Sequence, residues 1–381
     1  MYLNNDIILK KYNYKRVGAL YRLLFLYMNR SVSHQSRWII TLIVSILAIT
    51  KLVAQDPIFS QYYASSLYLN PALAASEQNI TAGFNSRVQW KSIVAPYTTN
   101  QATAILPIYS KTEKFQNIGG VGLSFFNHKA GQIGLNTTGV NLNLAYVIQL
   151  SDDHHILAGV QVGWIQKKID FGSGQWGSQF DPINGWDSSI NPGEFNFLAS
   201  SSYLDVGSGF VYYYKPGRNI RETGASFYAG YSAYHMNRPN ESVVKSIESN
   251  LPVLHKGIAG LEFTMNDHWN FSPNLLYAKQ NASTQLNFGL YSTYIMGEEH
   301  DLKEWTLAPN KLMAGAWYRM KDAYIATLAF GNEFYTIAFS YDVNSSSLRE
   351  SSRGKGAYEL SIKLSAPKLQ KTIRVYGSPR F

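Results

Sequence analysis

Past residue 79 the chain alternates apolar and polar residues over many segments. Between residues 140 and 148, valine, leucine, tyrosine or isoleucine occupies every second position, with Asn141 and Asn143 between them. Alternation with period two predicts a β-strand whose two faces meet different surroundings. Comparable segments begin near residues 80, 156, 204, 227, 286, 334 and 358. With their partner segments they predict about 14 strands of ~9–11 residues, the length with which a tilted strand crosses a membrane.

This pattern predicts an all-β fold, a transmembrane antiparallel β-barrel. With an even number of strands, the amino and carboxyl termini of the barrel lie on the same side of the membrane. The longest connections, 170–202, 237–252 and 344–355, follow odd-numbered strands and are expected to emerge together on the outer surface. The alternative is a soluble β-sandwich or propeller. It is disfavoured because neither explains an aromatic-rich apolar face on so many segments, and because no repeat of about 33–50 residues is evident.

Composition agrees with a barrel. Aromatic residues make up 14% of the chain and charged residues 15%, and there are 27 Tyr and 29 Gly. This mixture suits strands, tight turns and the aromatic belts at the edges of a membrane. The chain has no cysteine, which excludes disulfides, thiolate metal ligands and cysteine nucleophiles.

The net charge of +9 lies mostly in the first 54 residues. They hold eight of the 34 basic residues and one of the 25 acidic residues, so 26 basic and 24 acidic residues remain. The rest of the chain therefore has no basic excess that would predict binding to nucleic acid.

An apolar run at 38–49 follows Arg30 and Arg37 and precedes Leu52, Val53 and Ala54. This order predicts a secretion signal cleaved before Gln55. The alternative, a retained membrane anchor, needs about 20 apolar residues and is interrupted by Lys51. Residues before Met28 are unusual for a signal, so Met28 is the expected true start. The predicted organisation is an extension and signal at 1–54, a motif segment at 55–79, a barrel at 80–366 and a tail at 367–381.

The motif segment is too apolar to extend freely into water. It contains Asp56-Pro57, then Phe59, Ser60, Gln61, Tyr62 and Tyr63, then Asn70-Pro71. The prolines disfavour helix at Asp56 and Asn70, and the aromatic residues need a surface to pack against. The first predicted strand then contains Arg87, Gln89 and Trp90.

These residues resemble the PorP/SprF family of outer-membrane proteins associated with type IX secretion and gliding. Members begin with an acidic residue and proline, followed by FSQYY and LYLNPA, and the arginine and QW pair of the first strand is similar. Residues 341–350 and the terminal Pro379-Arg380-Phe381 also match, although Ser378 stands where the family has cysteine.

The resemblance implies a non-enzymatic outer-membrane barrel that helps export a large adhesin and anchors it at the cell surface. The implied partners are membrane lipid, the type IX sorting domain of the adhesin, and periplasmic components linked to the secretion machinery or peptidoglycan. A passive porin for small solutes is the alternative, and an outer-membrane hydrolase is a distant third.

By the same resemblance, the motif segment packs at the periplasmic mouth or inside the barrel, where Arg87 and Gln89 offer hydrogen-bond partners. Whether it is a plug or a partner-binding element is left open. The connection at 170–202 holds Trp176, Phe180 and Trp186, too many aromatic residues for a solvated loop. It is expected to plug the lumen or to contact a partner.

No catalytic, cofactor or metal residues are predicted. The chain has no GxSxG, HExxH or P-loop motif. Asp152-Asp153-His154-His155 is interpreted as a polar turn, because adjacent histidines on a strand point to opposite faces. Gly119 to Gly122 is interpreted as a site of close packing or a bend.

Overall fold

The computed structural model describes residues 56–366, apart from 93–95, 111–115, 132–133, 170–175, 182, 184, 188, 192–199, 217–223, 245–246, 298–299, 303–304, 308 and 348. The predicted signal at 1–54 and the tail at 367–381 lie outside the described residues.

The chain folds mainly into strands. In chain order they are β1 (Thr81–Gln89), β2 (Tyr97–Tyr109), β3 (Asn117–Ala130), β4 (Leu135–Gln149), β5 (His154–Lys168), β6 (Phe180–Asp181), β7 (Gly185–Trp186), β8 (Ser200–Tyr214), β9 (Gly224–Tyr234), β10 (Leu254–Thr264), β11 (Trp269–Gln280), β12 (Ser283–Met296), β13 (His300–Leu302), β14 (Trp305–Leu307), β15 (Asn310–Arg319), β16 (Ala323–Gly331), β17 (Tyr335–Asn344) and β18 (Lys355–Ser365). The described helices are short: Tyr62–Ala64, Ser66–Leu69, Pro71–Ala75, Gly177–Gln179 and Arg349–Ser352.

Fourteen of the strands close into one antiparallel barrel, which confirms the predicted fold class. Each barrel strand pairs with the barrel strands before and after it in the chain. The first and last strands complete the ring, with Thr81 opposite Ser365 and Gln89 opposite Ala357. The remaining strands form two small hairpins, β6 with β7 and β13 with β14. No helix in the described residues is long and apolar enough to cross a membrane.

The alternation along each strand separates an apolar outer face from a polar inner face. On β4, Leu142, Leu144 and Tyr146 are exposed on the outside, whereas Asn141 and Asn143 are buried inside. This is the arrangement expected of a barrel with lipid around it, because the alternate residues of a strand point to opposite faces.

We call the end at which β1 finishes the upper end, and the end at which β1 begins and β18 finishes the lower end. The connections at 169–199, 235–253 and 345–354 all lie at the upper end, as the sequence predicts. One lower connection, 297–309, is longer than predicted because it contains the β13–β14 hairpin, in which His300 pairs with Leu307.

Candidate functional site

Residues 56–79, here called the luminal segment, run through the inside of the barrel. At the upper end Asp56 contacts His235, which directly follows β9. At the lower end Glu77 accepts a hydrogen bond of 2.6 Å from Lys363 Nζ near the end of β18. The segment therefore spans the lumen from one end to the other before the chain enters β1.

The Asn70-Pro71 pair begins the last helical turn of the segment and attaches it to the wall. Asn70 is extended, and its Oδ1 accepts a hydrogen bond of 3.0 Å from the backbone of Ala72. Its Nδ2 donates to the carbonyl oxygens of Phe210 and Tyr231, each at 3.0 Å. The asparagine is thus both the cap of this turn and a link to β8 and β9.

Three glycines of the wall leave the space in which this turn lies. A Cβ at Gly120 would meet the Ala74 carbonyl oxygen at 1.9 Å, and one at Gly159 would meet Ala72 at 2.5 Å. At Gly209 the added atom would lie 2.3 Å from Asn70 Oδ1. Of the two interpretations of Gly119 to Gly122, the structure shows close packing: Gly120 and Gly122 lie against the luminal segment, and Gly119 lies against Ala145 of β4.

Two arginines and two carboxylates from four strands form an ion cluster around Ser60. Arg87 lies 3.0 Å from Asp342 and 3.4 Å from Glu359, and Arg319 lies 2.8 Å from Asp342. Ser60 Oγ donates to Asp342 at 2.7 Å, and its backbone N–H donates to Glu359 at 2.8 Å. All five residues are at most 3% exposed. Removing one member would leave an uncompensated buried charge, so cluster and segment hold each other in place.

Both the nitrogen and the oxygen of the Gln61 side-chain amide form hydrogen bonds with neighbouring strands. Its Nε2 donates to the Glu359 carbonyl oxygen at 2.8 Å and to Ser340 Oγ at 3.2 Å. Its Oε1 accepts from Ser361 Oγ at 2.6 Å. A buried amide with this many partners fixes the rotation of the segment inside the barrel.

The start of the segment is held by a histidine between two carboxylates. Asp56 Oδ2 lies 2.7 Å from His235 Nε2, and Asp205 Oδ1 lies 2.8 Å from His235 Nδ1. Burial lowers the pKa of His235, but the two carboxylates outweigh this effect and raise it to about 10. Burial likewise raises the pKa of Asp56, but His235 outweighs it and the pKa falls to about 2. The pair is therefore ionised at neutral pH.

Lys256 is a second buried cation at this level. Its Nζ donates to the Tyr68 carbonyl oxygen at 2.6 Å and lies 3.3 Å from the centre of the Tyr68 ring. The Tyr234 ring is 4.7 Å away. Phe59 packs edge-on against Tyr68, with ring centres 5.2 Å apart. The ammonium is thus held by a carbonyl group and two ring faces.

Tyr62 and Tyr63 fill the middle of the lumen. Tyr62 OH donates to Asn274 Oδ1, which also accepts from Trp317 Nε1 at 3.0 Å. The Tyr63 ring stacks on Trp317 at 5.0 Å and meets Tyr291 edge-on at 4.8 Å. Tyr291 OH donates to Tyr63 OH at 2.6 Å. Both tyrosines are at most 5% exposed, so neither is available to a partner in this structure.

Inner side chains are buried on every strand of the barrel. At least one inward-facing side chain of each barrel strand is at most 7% exposed, namely Asn85, Gln101, Ser124, Asn143, Gln161, Val211, Ser232, Ile258, Leu276, Tyr291, Trp317, Ile325, Ser340 and Ser361. Solvent therefore reaches little of the inner wall at these positions.

The other residues that the sequence singled out lie in different places. Pro57 is half-buried, and Pro71 is buried at the first position of its turn. Gln89 pairs with Ala357 and Tyr97 in the sheet and has no hydrogen bond to the described luminal segment. Trp90 directly follows β1, has a positive φ of 54° and packs edge-on against Tyr97. Arg87 therefore reaches the segment, whereas Gln89 and Trp90 belong to the upper rim.

The aromatic connection between β5 and β8 contains a hairpin built around Gln179. Gln179 Oε1 accepts from the Trp176 backbone and from Trp186 Nε1, each at 3.3 Å, and Nε2 donates to the Ile190 carbonyl oxygen at 2.8 Å. Phe180 is 62% exposed and Trp186 43% exposed. These two side chains face solvent and do not fill the lumen.

Sequence reasoning missed most of the groups that hold the luminal segment: Asp205, His235, Lys256, Arg319, Asp342 and Glu359. The sequence did contain one signal for them. Some charged residues occupied the polar positions of segments in which apolar and polar residues alternate. Glu359 and Asp342 are such cases. The pairing partners were not readable, because Arg87 and Asp342 are 255 positions apart.

The described residues contain no candidate metal cluster. No group of three or more His, Cys, Asp or Glu side chains there has the arrangement to hold a metal ion. His154 Nδ1 lies 2.5 Å from Tyr212 OH at the lower end of the barrel.

These features define a membrane β-barrel closed by its own amino-terminal segment. The family model of the type IX secretion system membrane protein PorP/SprF matches residues 52–364. The chain therefore belongs to the PorP/SprF family.

Among curated proteins, none matches this chain. Several solved structures are similar to this chain at low identity. The Ralstonia pickettii toluene transporter TbuX is 11% identical, with a TM-score of 0.44 over 80% of this chain and 94% of that chain. The CymD monoaromatic hydrocarbon channel is 11% identical, with a TM-score of 0.42 over 81% and 94%. The KdgM porin is 9% identical, with a TM-score of 0.34 over 76% and 100%.

Proposed function

We propose that this protein is a closed barrel in the outer membrane that helps a large adhesin through type IX secretion and anchors it at the cell surface. It catalyses no reaction in this role. The observation that supports an anchor over a passive porin is the burial of inward-facing side chains on all fourteen barrel strands. Family membership supports the link to type IX secretion.

In this proposal the upper end faces the cell exterior and the lower end faces the periplasm. Outer-membrane barrels have short periplasmic turns and longer outer loops. The connections at 169–199 and 235–253 are the longest, and both lie at the upper end.

The motif residues act as a plug, and the exported protein contacts the outer loops. Ser60, Gln61, Tyr62 and Tyr63 are all at most 5% exposed, which supports the first part. The hairpin at the upper end displays Phe180, Ile183 and Trp186, and Ile183 is 91% exposed. Exposed aromatic side chains on a preformed hairpin suit a protein partner, because little side-chain freedom is lost on binding.

Surface retention tests the anchoring role. Deleting the gene is expected to remove the large secreted protein from the cell surface, and the wild-type gene to restore it. A gene carrying both Phe180→Ser and Ile183→Ser is expected to restore barrel levels but not retention. Ile247→Ser removes an apolar side chain that is 61% exposed on another upper loop and is the matched control. Normal retention in the deletion strain would refute the proposal.

Conductance separates the anchor from the porin. Purified wild-type protein in a planar bilayer is expected to add no steady current. Replacing Tyr62 and Tyr63 together by alanine removes the rings at mid-lumen, so current is expected only in this variant. A steady open conductance of the wild type would favour the porin.

Labelling tests the orientation. The natural chain has no cysteine, so Ile183→Cys and Asp267→Cys each introduce a single thiol, at the upper and lower ends. A membrane-impermeant maleimide added to intact cells is expected to label only the first.

A further inference from the structure

Strand β4 is longer than a membrane crossing requires. Every second residue from Val140 to Ile148 faces outward, is apolar and is between 40% and 60% exposed. This stretch of nine residues already has the length of ~9–11 residues with which a tilted strand crosses the hydrocarbon layer. Thr138 and Asn136 continue the outward alternation above it, but they are polar. The upper part of β4 therefore stands at the level of the lipid head groups.

The strands beside β4 change from apolar to polar in register with it. On β3, β4, β5 and β8, one outward row is apolar and at least 40% exposed: Phe125, Val140, Trp164 and Leu204. The two outward rows above it are Asn127, Thr138, Gln166 and Ser202, then Lys129, Asn136, Lys168 and Ser200. We call these two upper rows the polar face. It consists of amides, hydroxyls and two lysines, without an acidic residue.

The opposite side of the barrel differs. There Tyr318, Tyr324 and Val343 share one outward row on β15, β16 and β17. Tyr324 is 59% exposed and follows the turn at 320–322 by one residue. The apolar surface thus reaches the upper turns on this side, whereas β3, β4, β5 and β8 extend beyond it. The polar face is therefore confined to one side of the barrel.

The two lysines of the polar face carry charge that no neighbour neutralises. Lys129 and Lys168 are both exposed, and neither forms an ion pair with a residue that the structure describes. They pair with Asn136 from either side, so their backbones are about 10 Å apart, two strand spacings. Because lysine side chains are long and flexible, both ammonium groups can reach one anion in front of Asn136.

The row below the lysines supplies hydrogen-bond donors. Asn127 Nδ2 donates to Asn136 Oδ1 at 2.6 Å and to Thr138 Oγ1 at 2.9 Å. These bonds occupy acceptors of Asn136 and Thr138, so the N–H and O–H donors of the same two side chains remain for a ligand. Gln166 adds another amide in the same row as Thr138. Neutral groups of this kind suit the hydroxyls of a sugar.

We propose that the polar face binds the phosphorylated sugar head group of a glycolipid in the outer leaflet of the membrane. The acyl chains lie on the apolar row that includes Trp164, the sugar meets the amides and hydroxyls, and a phosphate lies between Lys129 and Lys168. Basic residues beside a membrane attract anionic head groups, and this face is continuous with the lipid-facing surface below it. The inference rests on the proposed function only in taking the upper end to face the cell exterior.

The test uses the full-length protein in detergent micelles, with native mass spectrometry to count the lipids that remain bound. The probes are phosphorylated lipid A, the same lipid A after removal of its phosphates, and phosphatidylglycerol. The first is expected to bind about ten-fold more tightly than either of the others. Equal binding of dephosphorylated lipid A would show that no phosphate is recognised, and equal binding of phosphatidylglycerol that no sugar is. Either result, or displacement of lipid A by inorganic phosphate, would overturn the proposal.

A variant carrying both Lys129→Gln and Lys168→Gln tests the charge. It is expected to weaken binding of phosphorylated lipid A about 25-fold, about five-fold for each lysine, and to leave the dephosphorylated probe unchanged. Lys279→Gln is the matched control, because this exposed lysine near the upper end of β11 pairs with His255 and Thr284 and with no second lysine. An equal loss in the control would mean attraction to the whole rim and contradict the assignment.

Gln166→Ala tests the sugar contact. It is expected to weaken both forms of lipid A about five-fold, the value of one hydrogen bond, without changing the binding of phosphatidylglycerol. Heat-modifiable mobility checks that each variant is folded. A merely structural role of Gln166 would shift all three probes together and refute a specific contact with the sugar.

Surface retention distinguishes a lipid from a protein on this face. Cells with the double lysine variant are expected to keep the large secreted protein at the wild-type level. Lost retention with unchanged lipid binding would assign the polar face to a protein and refute the proposal. Because lipid binding is measured on purified protein, its failure leaves the retention and labelling results of the proposed function untouched.

Discussion

The two halves of the luminal segment are held by different chemistry. From Asp56 to Gln61, the contacts are ion pairs and hydrogen bonds to buried charged groups such as Arg87 and Glu359. From Tyr62 to Ala75, the contacts are mainly rings and small side chains packed against apolar residues and wall glycines. The first half is therefore sensitive to the loss of charge, and the second half to a change of size.

The largest effect is expected from Arg87→Met. This change leaves Asp342 and Glu359 with one nearby arginine in a buried site, and should cost about 3–5 kcal/mol of unfolding free energy. Urea unfolding in micelles, followed by tryptophan fluorescence, measures it. Lys129→Met removes an exposed charge at the upper end of β3 and is the control. A loss below about 1 kcal/mol would show that the ion cluster is not a main attachment of the segment.

A smaller effect is expected from Gly120→Ala, in the wall beside the second half. The added methyl group meets the Ala74 carbonyl oxygen at 1.9 Å, so the segment must move. Overpacking of this kind costs about 1–3 kcal/mol in the same unfolding experiment. Gly257→Ala adds the same group where no atom lies within 4 Å. If both variants lost equal stability, backbone effects and not the luminal segment would be the cause.

Asp56→Asn tests the upper anchor through its pH dependence. The pKa of His235 rises from 6.5 to about 10, so its contribution is complete below pH 6.5 and disappears as pH rises through 10. The pKa of Asp56 falls from 3.8 to about 2, so its contribution is complete above pH 3.8 and disappears as pH falls through 2.

The difference in unfolding free energy between wild type and Asp56→Asn should therefore be largest between pH 3.8 and 6.5, at about 1–2 kcal/mol. It should shrink as pH approaches 10. A difference that stays constant up to that pH would mean that His235 is not held as a cation by the segment.

The smallest effect is expected from Gln89→Ala. Gln89 belongs to the same motif as Arg87, but its side chain has no hydrogen bond to the described luminal segment. Its loss should change stability by less than about 0.5 kcal/mol, since it is neither buried nor paired with a charge. A loss comparable to that of Arg87→Met would remove the distinction between the lumen and the upper rim.

Local patterns were sufficient to predict the barrel. Asn141, Leu142, Asn143 and Leu144 already alternate along the chain, and that alternation alone fixes which side of β4 faces outward. The motif from Asp56 to Pro71 was also recognisable, because apolar residues next to prolines cannot form a free helix or remain exposed.

The partners of that motif were not predictable in the same way. Ser60 meets Asp342 across 282 positions and Gln61 meets Glu359 across 298. A local sequence pattern carries no information about contacts between residues so far apart in the chain. Gln89 was accordingly expected to offer a hydrogen bond to the motif segment, although it lies at the upper rim.

The sequence by itself determined which residues face lipid, how many strands cross the membrane and which segment needs shelter. Only the tertiary structure decided that this segment runs through the lumen with its beginning at the upper end. The reason is physical. The alternation of apolar and polar residues is a local property of the sequence, whereas the interior in which distant charges and rings meet exists only once the barrel has closed.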